Sequence, residues 1–211
     1  MAKVSDWLFA GVALSWLAFI AFAGDYFLQP SLSSRFLHSH VQVFVCQVLI
    51  GLMAILPIAL LDDQRSLWTT MLKWPRVFSF TGAVMLASAL VVCSPILHWR
   101  ILMIKPHHVT AFIIGVTATL AIIEEIGNRA MLLGILVRVM PSWGAVLSAG
   151  IFFGTLHAPI LLANRHSSSF VLAIGIARIS FLGVSLGIAA LRFRSIWPGA
   201  IAHIGNNLLW L

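Results

Sequence analysis

A bundle of membrane-spanning α-helices is the fold this chain predicts, and three observations predict it. Of its 211 residues, 61% are hydrophobic and only 9% are charged, against about 25% charged in an ordinary soluble domain. The apolar residues form continuous runs, each about as long as the roughly 20 residues a helix needs to cross a bilayer. They do not alternate over about ten residues as barrel strands do. Backbone groups in lipid must bond within their own segment or close into a barrel, so continuous runs leave helices. The class is therefore an all-α, polytopic bundle of about seven membrane helices, the last one short.

Taken in order, the first span covers 7–28. Its Ala21-Phe22-Ala23 resembles a signal-peptidase site behind Lys3, but the long apolar stretch starting after Asp6 favours an uncleaved helix. The second covers 41–61 and stops at Asp62-Asp63; a polar loop with Arg65, Lys73 and Arg76 follows. The third covers 78–97, and a link with Arg100, Lys105, His107 and His108 leads to the fourth, 109–137. That run is longer than a bilayer requires, so it should tilt, bend or project. Pro141 marks the next turn, before a fifth span over 143–162 and a sixth over 170–191. The seventh, 196–211, is too short to cross comfortably. No repeat or linker interrupts the chain, which reads as one integral membrane domain, with three helices in 1–108 and a further unit in 109–211.

The net charge of +7 does not point to nucleic acid, because the basic residues are scattered singly between apolar runs rather than gathered in a stripe. They report orientation instead. Lys3, Arg65, Lys73, Arg76, Arg138, Arg192 and Arg194 collect on one side, against Arg35, Arg100, Lys105 and Arg165 on the other. The positive-inside rule then places the N-terminus in the cytoplasm of a multi-pass protein of the cell (inner) membrane. Cys46 and Cys93 lie within apolar runs, too few for a disulfide framework, and read as small hydrophobes.

Glu124 and Glu125 are the only glutamates, and both fall in the middle of the fourth span. A charge near the bilayer centre costs about 2.5–3.5 kcal/mol on insertion scales, which makes a functional site the default reading. Residues four apart share a helical face, so Glu125 lies over Arg129 and Glu124 over Asn128. The first pair can form an ion pair. Glu124 then faces only an amide and is available as a general acid or base. His157 stands deep in the fifth span, four residues after Phe153. His203 and Asn207 share a face of the seventh and carry polar hydrogens of the kind that bind an oxyanion. At about 1.5 Å per residue, Glu124, His157, His203 and Asn207 fall in one slab near the midplane.

Glu124-Glu-x-x-x-Arg129, Phe153-x-x-x-His157 and His203-x-x-x-Asn207, in this order and each within an apolar run, resemble the three motifs of the CPBP (Abi) family, the CAAX-type, Rce1-like glutamic intramembrane proteases. Gly183, Gly187 and Trp197-Pro198 ahead of His203 resemble that family's last core segment. The resemblance covers about 109–211. Where many members carry Phe-Arg-Gly after the paired glutamates, this chain has Asn128-Arg129-Ala130, which bears on subfamily and substrate. The resemblance implies hydrolysis of a peptide bond in a protein or peptide substrate at the membrane, by an activated water and with neither metal nor cofactor. Glu124 and His157 would hold and deprotonate the water, His203 and Asn207 would stabilise the oxyanion, and Glu125, Arg129 and Phe153 would order the site.

Other readings compete. Glu with two His is a known zinc ligand set, although no His-Glu-x-x-His is present. Intramembrane Glu, His and Arg also serve proton-coupled transporters, whose repeat-related broken helices have no counterpart in the sequence. A non-catalytic scaffold could keep the same residues as interhelical glue. Arg178, inside the sixth span, is a candidate substrate contact or a structural pair.

Overall fold

A computed structural model describes residues 3–22, 40–62, 66–76, 78–93, 111–163 and 169–208. The expectations resting on Ala23, Asp63, Arg65, the 94–110 link with His107 and His108, and the loop holding Arg165 and His166 lie outside these residues. Among the described residues all regular structure is helical and no strand occurs. The helices are α1 (Val4–Phe22), α2 (His40–Leu61), α3 (Ser66–Met71), α4 (Phe80–Cys93), α5 (Ala111–Glu125), α6 (Leu133–Val139), α7 (Ser142–Leu156), α8 (Ala158–Ala163), α9 (Ser169–Phe193) and α10 (Trp197–Leu208). Between α5 and α6 the chain stays helical as a π-segment, Ile126–Leu132.

The long apolar runs become helices because lipid leaves the backbone no partner outside its own segment. Pro57, inside α2, gives no N–H to the Met53 carbonyl, which accepts instead from Trp16 Nε1 at 3.2 Å. Pro141 ends the path from α6 and caps α7. Among the described residues two helices are long and apolar enough to cross a membrane, Phe44–Leu61 with mean hydropathy 2.6 and Ser169–Phe193 with 2.0. Shorter apolar helices, Val4–Ile20, Phe80–Cys93 and Ser142–Leu156, accompany them. On α2, Leu49, Leu52, Met53, Leu56 and Leu60 all face outward. A continuous exposed apolar face of that kind suits hydrocarbon rather than water. The last helix, α10, holds 12 residues, about 18 Å of rise.

The fold departs from the sequence expectation in three places. The loop after the second span contains α3. The fourth run changes helical register at its centre. The fifth is divided at His157 into α7 and α8. That division follows from Pro159, which has no N–H to give Thr155 and whose ring crowds that carbonyl.

Helix α9 is the axis of the bundle and packs against both α7 and α4. On α7, Gly150 and Gly154 meet Gly183 and Ser180 of α9. A Cβ on Gly183 would lie 2.9 Å from Gly150 Cα, and one on Gly154 would lie 2.7 Å from the carbonyl oxygen of Ile176. The backbones therefore touch directly, as small residues allow in membranes, where tight packing replaces the hydrophobic effect as the force between helices. Leu132, Leu133 and Leu136 fill the core between α1, α7 and α9 with Ala10, Ala13, Ala145 and Ala190.

One end of the bundle is tied by polar contacts. Arg138 donates twice to the carboxylate of Asp62, Nη1 to Oδ1 at 2.8 Å and Nη2 to Oδ2 at 2.7 Å. The Ile196 N–H donates to the Met71 carbonyl at 2.9 Å, Ser195 Oγ to that of Lys73 at 2.7 Å, and Trp197 Nε1 to that of Leu72 at 2.7 Å. The α3 segment is thus clamped to the turn before α10. Asp62, expected at a loop edge, is buried, because the bidentate guanidinium satisfies both of its oxygens.

Candidate active site

The two glutamates sit where α5 passes into the π-segment. In that segment the backbone bonds run from residue i to i−5: the Leu133 N–H donates to the Asn128 carbonyl. Such widened turns are rare and concentrate at functional sites. Gly127 places no side chain in the bend. Asn128 places its amide against the backbone, with Nδ2 donating to the Glu124 carbonyl at 2.9 Å, a side-chain insertion into the ladder of the kind that bends helices.

Glu125 points inward and is completely buried. Its Oε1 stands 3.3 Å from Arg129 Nη1 and accepts from His203 Nδ1 at 3.0 Å. The Arg129 guanidinium also lies over the Phe153 ring, with Cζ 4.1 Å from the centroid. A cation that is only 2% exposed is thus held by one carboxylate and one aromatic face. Phe153 is shared: His157 meets it edge-on at 4.8 Å between centroids, and His203 at 5.9 Å. One ring from α7 therefore spaces the arginine and both histidines.

Glu124 points elsewhere. Its side chain is 38% exposed, and with His157 it lines a cavity of about 240 Å³. A water takes about 30 Å³ of liquid volume, so several fit. His203 Nε2 approaches Glu124 Oε2 at 3.7 Å. His203 thus lies between the two carboxylates, hydrogen-bonded to Glu125 and directed at Glu124. Its own side chain is buried and does not line the cavity.

His157 owes its position to the break before Pro159. Its backbone angles, φ −86° and ψ −4°, fall in the sparsely populated bridge region where many active-site residues sit. Its Nδ1 lies 2.8 Å from the Phe153 carbonyl. A carbonyl only accepts, so Nδ1 carries the hydrogen, and Nε2 of the neutral ring carries the lone pair.

Glu125 and Arg129, four apart on one helical face, form the expected pair. The bond from His203 to Glu125 is additional and requires α10 to pack against α5. Gly199 lies at that contact: a Cβ there would sit at ordinary van der Waals distance, 3.5 Å from Glu125 Oε2 and 3.4 Å from Leu186 Cδ2. Asn207 is half-buried and accepts from Asn206 Nδ2 at 3.4 Å; it does not line the cavity. Arg178, the candidate substrate contact, donates through Nη2 to the Cys93 carbonyl at 3.3 Å and ties α9 to the end of α4. Among the described residues no cluster of three or more His, Cys, Asp or Glu forms a metal site.

Two polar residues of the cavity wall, Gln47 on α2 and Asn128, are not among the site residues expected from the sequence. Gln47 carried a signal, a carboxamide amid apolar neighbours in a membrane span. Asn128 was visible as a departure from the resembled motif and as the neighbour of Glu124.

Comparison with known proteins bears on the second half of the chain. A family model described as Type II CAAX prenyl endopeptidase Rce1-like matches residues 106–209. No curated protein and no solved structure matches the chain.

Proposed function

Because residues 106–209 are an Rce1-like domain and place the chain in the CPBP family, we propose that it is a metal-independent intramembrane endopeptidase acting on the tail of a membrane-associated protein. The observation that carries this reading is the meeting of Glu124 and His157, from separate helices, on the wall of one mostly apolar cavity. In such surroundings a carboxylate and an imidazole lone pair are the groups available to orient a water and take its proton. The water oxygen attacks the scissile carbonyl while its proton passes to Glu124 or His157. The C–N bond then breaks, and the same proton goes to the leaving amine.

His203 and Asn207 serve the oxyanion of the tetrahedral intermediate in this reading. Support for His203 comes from its Nε2, which stands 3.7 Å from Glu124 Oε2 and so beside the base. Glu125, accepting from Nδ1, holds the ring in that orientation. Arg129 and Phe153 order the pair. The chain reads as one multi-pass domain of the cell (inner) membrane with a cytoplasmic N-terminus, its partners being the protein substrate and the surrounding lipid.

The test is hydrolysis by the purified full-length chain in vesicles, using a farnesylated CAAX peptide and an unmodified peptide with an apolar C-terminus. Cleavage of either, insensitive to EDTA and phenanthroline and lost in Glu124→Gln and His157→Ala, is the expected result. Undiminished cleavage by Glu124→Gln sinks the assignment, as does chelator inhibition reversed by zinc. Which peptide is cut tells whether the substrate carries a lipid. Asn207→Ala is expected to lose about 10²–10³ in turnover, the usual consequence of removing one oxyanion donor, while still co-purifying with substrate. Normal turnover in that variant assigns Asn207 to packing.

A further inference from the structure

One side chain outside the family match reaches the cavity with its hydrogen-bonding groups unspent. Gln47 lies on α2, well before the matched residues 106–209, and lines the same cavity as Glu124 and His157. It is half-buried. Among the described residues nothing hydrogen-bonds to its carboxamide, and neither amide atom is fully buried. Both the donor and the acceptor of that group are therefore open to an occupant of the cavity. The rest of the wall that α1 and α2 contribute is apolar, with Leu17, Ile20, Ile50 and Ile55 at its surface.

The register of α2 against α5 fixes how far this group stands from the proposed base. A Cβ on Gly51 would meet Ile123 Cγ2 at 2.5 Å, and one on Gly127 would meet Ile55 Cγ1 at 3.6 Å. Gly51 thus faces Ile123 and Ile55 faces Gly127, so the two helices run parallel and in step. On this register Glu124 stands level with Leu52, which follows Gln47 by about 7.5 Å of helical rise. An extended peptide advances about 3.3 Å per residue, so a chain lying along the slot covers that step in roughly two residues.

A peptide unit removed from water needs an acceptor for its N–H and a donor for its C=O. A carboxamide offers both on one flat group. We propose that Gln47 is a substrate-binding residue whose carboxamide pairs with a main-chain amide of the peptide about two residues from the scissile bond, and so sets which bond comes to Glu124. This deepens the peptidase reading and rests on it. Recognition is of backbone rather than of a side chain, so varied sequences are taken in one register. The first half of the chain supplies that register, and the family domain supplies the chemistry.

Ester scanning tests the idea. A farnesylated CAAX peptide and an unmodified peptide with an apolar C-terminus are each prepared with single backbone amides replaced by esters, one at a time, away from the scissile bond. Each replacement deletes one N–H. Cleavage is measured with the full-length chain in vesicles, and binding with its Glu124→Gln variant. An ester about two residues from the scissile bond is expected to lower kcat/KM by about tenfold, the scale of one lost hydrogen bond whose acceptor is left unsatisfied. In Gln47→Met, which keeps the length of the side chain, the same ester should have less than about a threefold effect. That non-additivity is not produced by a merely structural role. Gln47→Leu repeats the measurement if the methionine variant folds poorly.

Cleavage with additive effects at every position overturns the proposal and leaves the peptidase reading standing. Coupling only at an amide beyond about three residues overturns it too, because the register does not reach that far. If no peptide is cleaved but binding to Glu124→Gln shows the same coupled pair, the peptidase reading falls and the Gln47 contact stands. If neither peptide is bound or cut, both fall.

Discussion

Two adjacent glutamates acquire different chemistry here because successive side chains of a helix point in different directions. Glu125 turns into the bundle, where Arg129 and His203 converge on it; Glu124 turns to the cavity. Replacing each by Gln should separate them. Glu124→Gln is expected to accumulate normally and abolish cleavage. Glu125→Gln should lose activity together with thermal stability, because it removes the charge paired with the buried Arg129. Equal inactivation with unchanged stability in both removes the division of roles. Arg129→Ala strands a buried carboxylate, which typically destabilises by about 3–5 kcal/mol. Its folded yield in membranes should therefore fall sharply, and a wild-type yield removes the ion-pair argument.

At the scale of the element, two local irregularities position the site. The π-segment carries Asn128 and Arg129 past the end of α5, and the break at His157 lets an imidazole end one helix rather than lie along it. The position of the second rests on α7 being packed against α9. Gly154 has no room for a side chain, with Ile176 O 2.7 Å from where its Cβ would stand. Gly154→Leu should displace α7, move His157 and Phe153 together, and lower thermal stability by about 1–3 kcal/mol or more, the range for overpacking. A variant with normal melting and normal cleavage shows that the close approach is not needed.

Across the whole molecule, the first half of the chain does more than add helices. α1 and α2 form one wall of the cavity whose other wall holds Glu124, Asn128 and His157. The Asp62–Arg138 pair, at 2.7 Å and 2.8 Å, ties the end of α2 to the end of α6. Asp62→Ala or Arg138→Ala alone should destabilise strongly by leaving a buried charge unpaired. The exchange of the two, Asp62→Arg with Arg138→Asp, should recover part of the loss. Failure of either single change to alter stability shows that the two halves are held by apolar packing alone.

The sequence by itself determined the helical class and the approximate helices, because continuous apolar runs leave the backbone no other way to satisfy its hydrogen bonds in lipid. It also determined the Glu125–Arg129 pair, because four-residue spacing is a property of the helix alone. The three motifs sufficed to suggest the family, which the match over 106–209 bears out. What lay beyond it were relations between helices. Nothing local says that α10 brings His203 to Glu125, since that rests on α10 packing against α5. A straight-helix argument also cannot find a π-turn, because the widened register is settled by Asn128 bonding back to the Glu124 carbonyl and by what packs around it. Gln47 became a neighbour of the proposed base only when α2 closed over α5 at Gly51. Periodicity records which way a side chain leaves its own helix, and only packing decides what it meets.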